Sequence, residues 1–185
     1  MATFRVPPYL PETNNRPMSA SEAKHPRAIE LIAMLDLKLH PEGGFYRELF
    51  RSEAVVTPAD QRGDRSALTT IYFLLTGDTH SRWHRVRSDE VWHLYEGGPL
   101  EVMELDDECR ELSTHTLAQV DASGARPVHT VPAGTWQAAR SVGRYTLVGC
   151  TVGPGFDFAD FELLADRMGT AVLARDCHPA VRAFW

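Results

Sequence analysis

The chain has 185 residues, of which 43% are hydrophobic and 24% are charged, and its formal net charge is −6. This size and composition predict one globular domain with terminal extensions. The negative charge and scattered arginines argue against a nucleic-acid partner, and no apolar run is long enough for a membrane span or a signal peptide. Three cysteines at unrelated spacings (Cys109, Cys150 and Cys177) predict reduced thiols in a cytoplasmic protein, with Cys150 as a core residue.

Residues 1–24 are predicted to form an extended or disordered arm, because this segment is rich in proline. A helix is expected to begin near Ser19 or Ser21 and to run to about Lys38, with apolar residues at helical spacing. We expect this helix to pack against the domain that follows, which the pattern places at residues 25–165.

Alternating and continuous apolar segments predict an all-β domain. The predicted strands are residues 45–51, 67–76, 79–87, 90–95, 100–105, 111–117, 128–131, 135–139 and 145–152. Residues 52–66 are predicted as a loop or lid, and residues 76–79 as a hairpin turn. The strand at 67–76 is apolar on both faces, which predicts burial between the interior and either a helix or a second subunit.

An aromatic and acidic loop is predicted at residues 153–161. It either closes over a pocket mouth, with Asp157 or Asp160 nearby, or anchors the chain end through its phenyl rings. Residues 162–175 are predicted to be helical, within a C-terminal helical extension that covers residues 166–185. We expect the terminal Trp185 to be packed or to lie in a contact.

The stretch 81–98 carries the densest group of candidate functional side chains. Strand alternation puts His84 and Trp83 on opposite faces, and it puts Glu90 and Trp92 on one face. If His84 and Glu90 share an interior, burial raises the pKa of the carboxylate and lowers that of the imidazole. Such a pair suits acid–base catalysis, or it is a structural pair across neighbouring strands.

Further candidates lie on other strands. Tyr46 and Arg47 face opposite sides of one strand, so either can reach a ligand or lie at an exposed edge. Tyr72 either places its hydroxyl in the cavity or simply packs. His40 is predicted as a turn residue and His115 as a surface residue.

Four strings in this sequence resemble the cupin-5 branch of the cupin superfamily. They are HPEGGFYRE at 40–48, WHRVRSDEVWHLYEGGPLEV at 83–102, VPAGTWQAAR at 131–140 and VGCTVGPGFDFADFEL at 148–163. His84, Glu90 and Gly97 are similar to the first cupin motif, and the Pro-x-Gly turn before Gln137 is similar to the second. The resemblance implies an all-β double-stranded β-helix (the cupin jelly roll) with an N-terminal and a C-terminal helix.

The resemblance also implies where a metal would bind, since metal-binding cupins use His, His, Glu and a final His. Here Val86 takes the second place and Gln137 the last, so a divalent metal would have only His84, Glu90 and Gln137. An amide is a poor ligand for a transition metal, and His93 could complete the set only if the strand bulged. We therefore expect no tightly bound metal, with a weakly held divalent ion as the alternative.

Three functions remain open from the sequence. The first is metal-independent isomerisation or epimerisation of a small polar molecule, such as a sugar or sugar-nucleotide-like compound, by analogy with epimerases of the same fold. The catalytic residues would be His84, Glu90 and Tyr72. The ligand-binding residues would be Tyr46, Arg47, Trp83, Trp92 and Gln137. The alternatives are a non-catalytic ligand binder or sensor, and a metal-dependent oxygenase or isomerase. We also expect a homodimer, with no nucleic-acid or membrane partner.

Overall fold

The computed structural model describes residues 25–122 and 124–184, which form two helices and a set of β-strands. The helices are α1 (Pro26–Met34) and α2 (Met168–Cys177), and 3₁₀ turns lie at Phe158–Asp160, Leu164–Asp166 and Pro179–Phe184. The strands are β1 (Lys38–Leu39), β2 (Phe45–Arg51), β3 (Val55–Val56), β4 (Arg65–Ser66), β5 (Thr69–Thr76), β6 (His80–Val86), β7 (Asp89–Gly97), β8 (Leu100–Leu105), β9 (Leu112–Leu117), β10 (Val128–Val131), β11 (Trp136–Ser141), β12 (Tyr145–Gly153) and β13 (Phe161–Leu163). The predicted arm, the serines proposed as helix caps and Trp185 lie outside the described residues.

Two antiparallel sheets face each other. One sheet has the order β1-β2-β5-β12-β7-β10 and the other has the order β13-β6-β11-β8-β9, while β3 and β4 pair separately. From β5 to β13 the chain crosses between the sheets at every connection except β8–β9, which is the topology of a double-stranded β-helix. The predicted all-β jelly roll with flanking helices is confirmed. The predicted hairpin at residues 76–79 is wrong, because this turn joins strands of different sheets.

Three apolar clusters fill and cover the barrel. The interior cluster comes from both sheets and contains Phe73, Leu75, Trp92, Leu100, Val102, Leu117, Val131, Ala139, Val148 and Cys150. Helix α1 covers the outer face of the six-stranded sheet through Ala28 and Leu31, which pack against Leu74. The outer face of β5 is therefore covered by the chain's own helix. Helix α2 and the final 3₁₀ turn cover the outer face of the five-stranded sheet in the same way, with Val181 and Phe184 in the cluster there.

Both helices are shorter than the sequence predicts. Helix α1 begins at Pro26 and is followed by Asp36 with a φ of 49°, after which Lys38 starts a strand. The predicted helix at 162–175 is wrong at its start, because β13 pairs with the edge of β6 and thereby satisfies its backbone groups. At nine and ten residues the two α-helices are far below membrane-spanning length. Across residues 25–122 and 124–184 no helix is both long and apolar enough to cross a bilayer.

Candidate functional site

A β-bulge in β6 fixes which side chains of this strand enter the barrel. Gln137 of β11 pairs with His84, but Ala139 pairs with Ser81, so Arg82 and Trp83 together oppose one residue of β11. A bulge of this kind breaks the alternation of side chains along a strand. Ser81 and His84 therefore both face the interior, although strict alternation would place them on opposite faces.

The turn between β1 and β2 delivers a second acidic group to the same place. The backbone N–H of Arg82 donates to the carbonyl of Glu42 over 2.8 Å, which ties the turn to the bulge. Gly43 follows with a φ of 113°, and a Cβ at this position would lie 2.3 Å from the carbonyl oxygen of His80. Only glycine fits this close approach, and the result is that the Glu42 side chain points into the barrel.

Replacing Gly43 with alanine is expected to destabilise the protein by at least about 1–3 kcal/mol, since it adds both a clash and an unfavourable φ. Gly134→Ala is the matched control, because Gly134 also has a positive φ (82°) but no atom within 4 Å of the place that an added Cβ would occupy. Urea unfolding of both variants measures the difference. Equal losses of stability in the two variants would show that the contact with His80 is unimportant.

A single proton lies between the Glu42 carboxyl group and the His84 imidazole. The His84 Nδ1 atom lies 2.8 Å from the carbonyl oxygen of Arg82, which can only accept, so Nδ1 carries a hydrogen. In the neutral ring Nε2 is then an acceptor, and it lies 3.2 Å from the Glu42 Oε2 atom. The Ser81 hydroxyl donates to Glu42 Oε1 over 3.0 Å. A protonated Glu42 that donates to His84 satisfies all of these groups.

Glu90 is held from the other side by a hydrogen-bonded chain. The Trp92 indole N–H donates to Gln137 Oε1 over 3.0 Å, and Gln137 Nε2 donates to Glu90 Oε2 over 2.6 Å. The indole can only donate, which fixes the orientation of the Gln137 amide and directs its NH₂ group to the carboxylate. The neighbouring Cys150 thiol also acts to lower the pKa of Glu90.

Burial separates the pKa values of the two carboxyl groups. Glu42, His84 and Glu90 are only 6%, 2% and 7% exposed. Desolvation raises the pKa of Glu42 to about 8. It also raises the pKa of Glu90, but His84, Gln137 and Cys150 oppose this and the value is about 6. Desolvation lowers the pKa of His84, and it lowers that of the neighbouring His40 to about 3. Near neutral pH the site therefore holds a protonated Glu42, an ionised Glu90 and neutral imidazoles.

Aromatic rings from the loop after β12 cover this cluster. The Phe161 ring stacks on the His84 ring with centroids 5.4 Å apart, and the Phe158 ring stacks on the His40 ring at 6.4 Å. Phe161 also lines an outer groove of about 380 Å³, next to Arg85 and Arg87. The sequence predicts that this loop either closes over a pocket mouth or anchors the chain end. Its rings lie over the barrel cluster, which agrees with the first of these roles.

The structure brings most of the predicted site residues together. Glu90, Trp92 and Gln137 form the hydrogen-bonded chain described above, and His84 lies beside it because it pairs with Gln137. Tyr46 packs against the interior cluster, and its ring centroid lies 4.5 Å from that of His40. His93 lies on the same strand as Glu90 and pairs with Gly149 of β12. The register irregularity of β7 comes after Leu94, so it does not fall between Glu90 and His93. The grouping of imidazole, carboxylate and amide in one interior matches the sequence-based expectation.

Three predicted site residues lie outside the barrel. Tyr72 packs on the outer face of the six-stranded sheet against the α1 cluster, and Arg47 donates to the Leu35 carbonyl over 3.1 Å on the same side. Trp83 is buried under the C-terminal 3₁₀ turn, where its indole N–H donates to the Val181 carbonyl over 3.2 Å. These hydrogen bonds hold Arg47 and Trp83 on the outer faces of the sheets, and all three side chains are separated from His84 by a sheet.

Sequence reasoning misses several members of the cluster. It predicts His40 only as a turn residue, Ser81 on the opposite face from His84, and Cys150 only as a core residue. It does not single out Glu42 at all. The signal that could have found Glu42 is the Gly43-Gly44 pair after it, since consecutive glycines often mark a close approach of backbones.

The donor set at the predicted metal position does not suit a transition metal. Val86 cannot ligate and the Gln137 amide is committed to Trp92 and Glu90. Across residues 25–122 and 124–184, three donor atoms from histidine, cysteine or carboxylate side chains come within 4.8 Å of one another at a different place. These side chains are Glu104, His115 and His129. We therefore assign no chemical step to a metal at His84.

Comparisons with known proteins agree with this architecture. The family model Cupin_5, described as "Cupin superfamily (DUF985)", matches residues 29–164. A hypothetical protein from Leishmania major is 34% identical, with a TM-score of 0.71 over 82% of this chain and 94% of that chain. A Shewanella oneidensis protein is 38% identical, with a TM-score of 0.66 over 78% of this chain and 92% of that chain.

The likeness to a further protein, at lower identity, concerns the fold alone. Oxalate decarboxylase from Bacillus subtilis is 15% identical, with a TM-score of 0.50 over 70% of this chain and 30% of that chain. The comparison with curated proteins gave no significant match. The predicted resemblance is confirmed over residues 29–164, and the chain belongs to the Cupin_5 family of the cupin superfamily.

Proposed function

We propose that this protein is a metal-independent isomerase or epimerase that moves protons on a small polar molecule, of the sugar or sugar-nucleotide class in shape and polarity, inside the barrel. The observation that carries the proposal is the pair of buried carboxyl groups with separated pKa values, about 8 at Glu42 and about 6 at Glu90. Groups whose environments push their pKa values apart are suited to opposite roles in acid–base catalysis.

In this mechanism Glu90 is the base and Glu42 is the acid. The ionised Glu90 removes the proton from a carbon next to a carbonyl group, while the protonated Glu42 delivers a proton to the substrate. The Ser81 hydroxyl stabilises the Glu42 carboxylate left behind, because it donates to Oε1 over 3.0 Å. Proton exchange with solvent then restores both groups. Glu42 thus takes the place of Tyr72, which the sequence proposed as a catalytic residue and which packs outside the barrel.

Substrate recognition falls to the side chains around the acid–base groups. Gln137, Trp92 and Tyr46 line the interior, and Phe158 and Phe161 form the cover that a ligand must displace. A mostly aromatic lining with a few fixed polar groups is typical of small-molecule sites. The outer groove beside Phe161 supports an entry route from that side.

A deuterium wash-in experiment tests this proposal. A thermal-shift screen of sugars and nucleotide sugars first identifies a ligand, which is then incubated with the protein in D₂O and followed by proton NMR. The wild type is expected to replace a carbon-bound hydrogen of the ligand with deuterium. Glu90→Gln should slow this exchange by at least about a hundredfold, because the base is lost. The wild-type rate should rise through about pH 6 and fall above about pH 8.

Glu48→Gln is the matched control, since Glu48 is an exposed carboxylate on β2 that pairs with Arg51. This variant should exchange as fast as the wild type. If a ligand binds the wild type and Glu48→Gln but neither protein incorporates deuterium into it, the protein is a non-catalytic binder or sensor. That alternative is favoured by one observation, namely that the closed chain from Trp92 through Gln137 to Glu90 leaves these polar groups already satisfied.

A homodimer in the cytoplasm, with a small molecule as its ligand, belongs to the same proposal. Helix α1 accounts for the doubly apolar β5, so that strand no longer requires a second subunit. What supports a dimer is the exposure of Met34 at the end of α1 and of Leu49 and Phe50 on β2. Exposed apolar side chains of this size favour association.

A further inference from the structure

A second group of candidate ligands lies where the two sheets meet. Glu104 is on β8, His115 is on β9 and His129 is on β10. β9 is an edge strand of the five-stranded sheet and β10 is an edge strand of the six-stranded sheet. His115 pairs with the core residue Val102 and His129 pairs with Trp92, so both imidazoles face the barrel side.

The geometry of these three side chains matches a metal site. His129 Nε2 is in hydrogen-bond contact with Glu104 Oε1, and His115 Nε2 lies 3.6 Å from the same oxygen. The two imidazole rings are stacked with centroids 4.0 Å apart. All three donor atoms lie within 4.8 Å of one another. Ligand atoms around a tetrahedral zinc ion, each about 2.0–2.2 Å from it, are about 3.3 Å apart, so only small movements are needed.

The chemistry of the donor set is also appropriate. Two imidazoles and one carboxylate are a common set of three protein ligands for zinc, with a fourth position left to water. The group is open enough for that water, because the His115 side chain is 40% exposed. Glu104 contacts both histidines, and a divalent ion would replace these contacts with direct coordination.

We propose that Glu104, His115 and His129 form a site for a divalent transition metal of the zinc class, separate from the acid–base cluster. The bound ion joins β8 and β9 of one sheet to β10 of the other. Metal binding to the folded state alone stabilises it, and here the ion closes the seam between the sheets. The site does not depend on the proposed isomerase function.

Zinc titration of the full chain, without a histidine tag and after removal of metals with EDTA, tests the proposal. Isothermal calorimetry is expected to give about one Zn²⁺ per chain, and Co²⁺ should give the visible absorption of a tetrahedral site. His129→Asn should weaken zinc binding by at least about tenfold, since it removes a ligand while keeping a group that can hydrogen-bond Glu104. His93→Ala is the control for unspecific binding to histidine and should bind zinc normally.

Thermal unfolding gives an independent measurement. Zinc should raise the Tm of the wild type and of His93→Ala, but not that of the His115→Ala/His129→Ala double variant. No saturable binding to the wild type, or undiminished binding to the double variant, would overturn the proposal. Loss of binding in His84→Ala with normal binding in His129→Asn would also overturn it, because it would place the metal in the acid–base cluster.

Discussion

Replacing Glu42 with glutamine is expected to stabilise the protein at pH 7 by about 2–3 kcal/mol. Burial raises the pKa of Glu42 from its ordinary 4.5 to about 8. Between these values the folded protein retains a proton that the unfolded chain has released, so the contribution of Glu42 to stability falls as the pH rises. Glutamine carries no charge and still offers an oxygen to Ser81 and an N–H to His84. The substitution therefore removes the free-energy cost of burying an ionisable carboxyl group and keeps the contacts with Ser81 and His84.

Urea unfolding near pH 5, 7 and 8.5 measures this effect. The gain should be small near pH 5, which lies only slightly above the ordinary pKa of 4.5, and it should approach its full size by about pH 8. Glu48→Gln is the control, because Glu48 is exposed and its loss should change the free energy of unfolding by no more than about 1 kcal/mol. A Glu42→Gln variant that is less stable than the wild type at pH 7 would mean that Glu42 is ionised there and paired with a charged His84.

The site residues that could be predicted are those whose positions follow from local sequence pattern. His84, Glu90, Trp92 and Gln137 lie on strands whose period and order follow from the local sequence, so the cluster of central residues was predictable. Glu42 lies in a turn that reaches the cluster only through a tertiary contact with the backbone of Arg82. Local pattern carries no information about such a contact.

The residues that the structure places outside the barrel illustrate a different limit. Alternation shows that Tyr72 and Phe73 face opposite sides of β5, but it does not show which side is inside. Both faces of this strand are apolar because α1 covers the outer one. Trp83 shows the same ambiguity on β6, where the C-terminal turn supplies the cover and the bulge shifts the register.

A buried ion-pair network around Asp160 anchors the loop whose phenyl rings cover the acid–base cluster. Asp160 receives hydrogen bonds from Arg65 at 2.8 Å to each of its oxygens and from Arg62 at 3.1 Å. Burial alone would raise the pKa of Asp160, but the Arg65 hydrogen bonds and the nearby arginine charges outweigh it and lower the pKa. The stabilisation is therefore present above the ordinary pKa of an aspartate and is lost as the pH falls through the lowered one. Phe158 and Phe161 flank this anchor.

Replacing Asp160 with alanine is expected to destabilise the protein by about 3–5 kcal/mol, because two largely buried arginines lose the carboxylate that they share. Asp60→Ala is the matched control, since Asp60 is an exposed partner of Arg62 and its loss should cost no more than about 1 kcal/mol. Urea unfolding near pH 7 compares the two variants. Hydrogen exchange in residues 153–163 should also become faster in Asp160→Ala, because the aromatic cover over His84 loses its anchor. Equal stabilities of the two variants would show that the cover is held by its phenyl rings alone.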